Sequence, residues 1–241
     1  MNKILVYSLV KTFYEEKGDF VDSFLPIVIM HIPSSPKSIT LEKLQEEIYK
    51  HTEIRIPLHS INIILSRAKR NELIEKSRSS VSLTEKGMHY KVKDEEIRTT
   101  ERKINELVSS AREFVSKNHN KDFESETIKE ALFGLVNKNI SIFDMVFSSG
   151  ANGSIATLGV PSNIDELLIE YVAYIEQNSD AQFRTLVDIV YGSILAAAIS
   201  SNDIEGLGRD FDRTTVFLDT NIIHTSCLIF QILFDVMFFL Y

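Results

Sequence analysis

A single cysteine, Cys227, stands among 241 residues. One thiol cannot close an internal disulfide or build a thiolate metal cage. A reduced, cytoplasmic setting is the corresponding expectation. Long hydrophobic runs are also missing. No internal stretch reaches the roughly 18 uninterrupted apolar residues of a spanning helix, and Lys11, Glu15 and Glu16 interrupt the first apolar segment before a signal sequence could form. No period of 20–50 residues recurs, which excludes a repeat array. The chemistry-bearing motifs are equally sparse. The sequence has no His-Glu-x-x-His, no Gly-x-Ser-x-Gly elbow, and no phosphate-loop ending in its Gly/Ser-rich stretch from Ser148 to Ser162. The histidines therefore read as surface or partly buried residues, that stretch as a linker, and Cys227 as no nucleophile.

What is present is an ordinary globular composition, 44% hydrophobic and 25% charged, with a formal charge of −8. The charge is unevenly placed. Between Arg55 and Lys93 nine Lys or Arg stand against three Glu, a net +6, so the remainder carries −14. A basic segment inside an acidic protein is a localised footprint for a polyanion.

Apolar spacing predicts helices over Ile4–Glu16 and Phe20–Ile32, separated at Gly18-Asp19, and a chain break at Pro33-Ser34-Ser35-Pro36. Thr40 is placed to cap a helix running to Lys50, with Leu41, Leu44 and Ile48 inward. A second helix follows Pro57, with Ile61, Ile64, Leu65 and Ala68 inward and His59, Asn62 and Ser66 on its polar side. Two short β-like pieces, Leu73–Lys76 and Ser80–Leu83, flank Ser77-Arg78-Ser79, and Thr84–Gly87 closes the unit as a turn. Farther on, a long polar helix is expected over Asp94–Asn118, with Ile97, Ile104, Leu107, Val108, Ala111 and Phe114 as its stripe. Helices follow from Glu124 or Ser125 to Asn137, from Asn163 to Asn178, and over Phe183–Ser200, where Ala196-Ala197-Ala198 permits close helix contact.

Helix, turn, basic helix and hairpin, over roughly residues 20–92, resemble a winged helix-turn-helix. The resemblance implies that the second helix enters a DNA groove and that the hairpin tip meets phosphate. Arg67, Lys69, Arg70 and Arg78 are the nucleic-acid-binding residues it implies. A solvated basic helix in a protein–protein module is the competing reading, so a protein partner or homodimer stays open, as does the choice of DNA or RNA.

Near the end, Val216-Phe217-Leu218-Asp219-Thr220-Asn221-Ile222 is an apolar β-run delivering an acid to its C-terminal end. A carboxylate there can hold a hard divalent cation over a crevice. The run resembles the first strand of the PIN-domain nucleases, which cut RNA with Mg²⁺ or Mn²⁺. By that resemblance Asp219 is a catalytic, metal-binding carboxylate, Thr220 and Asn221 are the small polar positions that orient it, and Asn221 belongs to the metal site. One acid cannot support two-metal hydrolysis, and Asp235 is the single further acid in the 22 residues after Asp219. The expectation is an incomplete site without a tightly held metal.

Residues 226–241 are almost wholly apolar. They read as a frayed core helix, a short membrane anchor, or the product of truncation or frameshift, with truncation or frameshift favoured. Sixteen residues containing a carboxylate make a costly span, so membrane insertion is disfavoured. The fold expectation is mainly α: a winged-helix-like domain over 1–92, a helical region over 93–212, and the first strand of an incomplete α/β domain over 213–241. The functional expectation is a nucleic-acid-binding protein related to metal-dependent nucleases. Its rival is a helical protein-interaction or membrane-tethered protein.

Overall fold

Nothing between Asn2 and Gly18 breaks a helix, and the computed structural model, which describes residues 2–77, 80–148 and 163–200, places α1 at Lys3–Lys17. Asn2 caps it, its Oδ1 accepting from the Leu5 N–H at 2.9 Å. Gly18 ends it in the left-handed conformation. Ile4 through Val10 are all buried, so α1 is wrapped by its neighbours rather than half-solvated.

The next segment departs from a single helix over Phe20–Ile32. A 3₁₀ turn at Asp22–Phe24 leads into a short α2, Leu25–Ile29. Asp19 opens it: its Oδ1 accepts from the N–H groups of Val21 and Asp22 at 2.9 and 3.0 Å, in the manner of a helix cap. Pro26 then occupies the first turn of α2, where its missing N–H costs nothing. At the end of α2, His31 stacks on His51 with ring centroids 5.3 Å apart. Burial, aided by the nearby His51 charge, pushes the His31 imidazole down to about 4, so it is neutral at pH 7.

Helix α3, Leu41–Thr52, carries the Thr40 cap as expected. It stops at Glu53, which takes a positive φ of 58°. The turn is tied by Thr52, whose hydroxyl donates to Ile48 O at 2.7 Å and accepts from Ile54 N at 3.1 Å. Gln45 adds a bond to Ile56 O at 2.7 Å. Helix α4, Leu58–Arg70, then begins after Pro57 and buries Ser60, Ile61, Ile64, Leu65 and Ala68.

Strands β1 (Ile74–Lys76) and β2 (Val81–Leu83) pair antiparallel, with Ile74 opposite Leu83 and Lys76 opposite Val81. The far edge of β2 is occupied too. Ile39 and Val81 exchange backbone bonds at 2.9 Å each way, and Leu83 N donates to Pro33 O at 2.9 Å. The proline-rich segment ahead of α3 thus ends the helix but still lines the hairpin through isolated bridges. Prolines lack the donors for a continuous strand there.

Thr84–Gly87 is not a simple turn. Thr84 caps a short helix, α5 (Glu85–His89), accepting from Gly87 N at 3.0 Å and donating to Glu72 O at 2.8 Å. A side chain at Gly87 would overlap the Leu73 carbonyl, so this helix lies directly on the backbone entering β1.

Helices α6 (Asp94–His119), α7 (Ser125–Ser148), α8 (Asn163–Asn178) and α9 (Asp180–Ser200) complete the described chain. The protein is mainly helical. Contacts divide it into two units. One holds residues 2–102 with the end of α9 from residue 192; the other holds the described residues between 103 and 191.

In the first unit the end of α9 meets α1 backbone to backbone, since a Cβ at Gly192 would overlap the Tyr7 carbonyl. Ala196 and Ile199 continue that buried face, and Ile199 O accepts from Ser60 Oγ on α4 at 3.3 Å. The close approach is made at Gly192, with Ala196 the one alanine of its run that is fully buried.

In the second unit Ile104, Leu107, Val108, Ala111 and Val115 of α6, Ile128 and Leu132 of α7, and Leu168, Tyr171 and Ile175 of α8 are all buried. Phe114 is only half-buried and packs on Tyr171 and Tyr174, at 5.6 and 5.0 Å between centroids. The Tyr171 hydroxyl donates to Leu107 O at 3.2 Å, and burial pushes it up to about 12. Helix α7 outruns Asn137, where the sequence pattern had placed its end. Helix α9 is long and apolar enough to cross a membrane, although 56% of that stretch is buried inside the protein.

Gly87→Ala tests the hairpin's closure. The added methyl must displace the Leu73 backbone, so a loss of roughly 2 kcal/mol is expected in chemical denaturation. An unchanged midpoint would show that α5 does not bear on β1.

Candidate nucleic-acid interface

Three of the four basic residues singled out for nucleic-acid contact lie in the last turn of α4, where a positive charge also complements the helix dipole. They do not face the same way. Arg67 turns toward the chain leaving α1, where its guanidinium bonds Asp19 and, at 3.0 Å, Asp22. Its side chain keeps 26% of its exposure. Partial burial opposes its charge, but the bonds and charges of Asp22 and Asp19 outweigh this and hold Arg67 above its usual range. Burial likewise works to raise Asp19. The Asp22 N–H, the Arg67 bond and charge, and the Val21 N–H prevail, so the carboxyl sits below its usual range.

Lys69 and Arg70 are exposed and have no carboxylate partner among the described residues. They continue a stripe that begins at His59 and runs through Asn62 and Ser66, at steps of three and four residues. This is the face of α4 opposite Ile61, Ile64, Leu65 and Ala68, and its order follows from the 3.6-residue period alone. Ser66 Oγ donates to Asn62 O at 2.7 Å, keeping that hydroxyl against its own helix.

The hairpin adds to this face. Lys76 on β1 extends its ammonium to Asn62 Oδ1 at 3.0 Å, a link across 14 residues. Periodicity could place Asn62 on the polar side, but only tertiary packing brings Lys76 to it. At the turn, Ser77 N donates to Ser80 O at 2.9 Å and the two hydroxyls lie 2.9 Å apart. Arg78, assigned to the tip, lies outside the described residues. Lys86 at the base of the hairpin pairs with Glu72 at 3.2 Å, in a solvent-exposed contact of small energetic weight. An open depression of about 380 Å³ lies beside it, lined by Asn71, Leu73, Lys86, His89 and Tyr90.

Asp219, Asn221 and the rest of 216–222 also lie outside the described residues. Among the described residues no cluster of three or more His, Cys, Asp or Glu could hold a metal ion. Compared with known proteins, the chain matches no family model, no curated protein and no solved structure.

The Arg67 clasp has a pH signature. Asp19 has a folded pKa below its unfolded one, so its contribution is present at neutral pH and lost as pH falls through the carboxylate range. Asp19→Asn keeps the turn-forming acceptor and removes the charge. Chemical denaturation should show a loss of about 1 kcal/mol or less at pH 7, given the exposure of the pair, and a shallower decline in acid. An acid profile identical to the parent's would rule out the charged clasp.

Proposed function

We propose that the first unit is a winged-helix-type module that binds duplex DNA, with α4 as the groove-facing helix and β1–β2 as the wing. One observation carries this reading: His59, Asn62, Ser66, Lys69 and Arg70 form a continuous polar and basic stripe on the exposed face of α4, beside the hairpin. Helix dimensions suit the major groove of B-DNA. The basic end of the stripe suits the flanking phosphates, and Arg67 serves to seat the helix rather than to touch the ligand.

Lys69→Ala combined with Arg70→Ala tests the reading without disturbing the clasp. Duplex affinity should fall, and the slope of log affinity against log salt should flatten by about two. Binding that is absent, or insensitive to salt, would sink the proposal.

We also propose, from the resemblance of 216–222 alone, that Asp219 belongs to a nuclease-like segment related to PIN domains, with Asn221 orienting it and Mg²⁺ or Mn²⁺ as the metal. The physical support is the chemistry of the donors: a carboxylate and an amide oxygen are hard ligands suited to these ions. In this reading the chain carries one acid of a multi-carboxylate site, and any metal-dependent nucleic-acid cleavage by the purified chain disappears in Asp219→Asn. Cleavage surviving that change would exclude Asp219 as the reacting centre's ligand.

A further inference from the structure

We propose that Asn62 and Lys76 act as one recognition unit that selects guanine in the major groove, an inference that rests on the DNA-binding reading above. Asn62 occupies the middle of the α4 stripe, between His59 and Ser66, where a groove-bound helix meets base edges. An unattended asparagine offers both an acceptor and a donor, which matches adenine N6 and N7. Asn62 is not unattended. Its Oδ1 accepts from Lys76 Nζ at 3.0 Å.

That bond changes what the pair presents. The acceptor of Asn62 is engaged and lies in the field of an ammonium group. Outward, the pair offers the two N–H of Asn62 Nδ2 and the remaining N–H of Lys76. A donor-only surface suits an edge with two adjacent acceptors. Guanine, with N7 and O6, has that edge; adenine and cytosine present an amine, and thymine one acceptor beside a methyl. The ammonium further disfavours an amine edge, and it polarises the amide to which it is bonded. The two residues come from different elements, α4 and β1, so the hairpin takes part in specificity as well as in phosphate contact.

The experiment is selection of bound sites from a random duplex pool by the full chain, repeated with two variants. The parent should select a motif with a fixed guanine, and 7-deazaguanine at that position should weaken binding severalfold. Lys76→Ala frees Asn62 Oδ1 and should move the preference from guanine toward adenine. Asn62→Asp keeps the shape and the lysine contact but replaces donors with acceptors. It should lose about tenfold or more on the guanine site and move the preference toward bases that present an amine. A merely structural role for either residue would lower affinity uniformly and leave the motif unchanged, which would overturn the inference. Salt-dependent binding by the parent with no guanine in its motif would overturn it too, while leaving the DNA reading intact. Absence of salt-dependent duplex binding by the parent would overturn that reading and this inference together.

Discussion

The bond between Arg67 and the two carboxylates of Asp19 and Asp22 ties the last turn of α4 to the chain leaving α1. Apolar burial alone would hold α4 in place, because Ile61, Ile64, Leu65 and Ala68 supply most of the free energy. A planar guanidinium with two acidic partners is more demanding of direction. By turning inward at the turn after α1, Arg67 leaves Asn62, Ser66, Lys69 and Arg70 as the outward set. Asp19 also caps the element that follows, through the N–H groups of Val21 and Asp22. One short acidic turn thus starts one element and braces another.

Around this clasp the unit is held by places where backbones touch. Gly87 lies against the Leu73 carbonyl and Gly192 against that of Tyr7, both too close for a side chain. The first contact sets α5 against the hairpin, so β1 and β2 leave α4 at a defined position. The second seats the end of α9 on α1, where Ser60 of α4 also reaches Ile199. Helix α4 therefore feels the end of α9 through packing as well as its own neighbours in sequence.

Much of the helical plan is legible from residue spacing. Thr40, Pro57 and the apolar positions of α3, α4 and α6 mark elements that the structure contains within a few residues. The failures have local causes. Phe20–Ile32 has helical spacing, yet Pro26 has no N–H to donate to the Asp22 carbonyl, and the segment divides into a 3₁₀ turn and α2. The segment at Pro33–Pro36 looks like a break and is one, yet its carbonyls and Ile39 still serve β2. Thr84–Gly87 reads as the turn that closes the unit, whereas it begins α5, with its glycine against the Leu73 carbonyl. In the site, periodicity places Asn62, Ser66, Lys69 and Arg70 on one face. It also sets Arg67 off that face, but it cannot name Asp19 and Asp22 as the acids Arg67 meets.

The sequence by itself determined the mainly helical composition, the basic segment from Arg55 to Lys93 and the polar face of α4. These follow from local periodicity and from charge, which need no knowledge of distant partners. Tertiary structure decided which arginine is withdrawn into a clasp, that Lys76 meets Asn62, and that glycines 87 and 192 are sites of backbone contact. Each of these depends on groups 14 or more residues apart. Such pairings are set by the packing of whole elements, and no local pattern of residues encodes them.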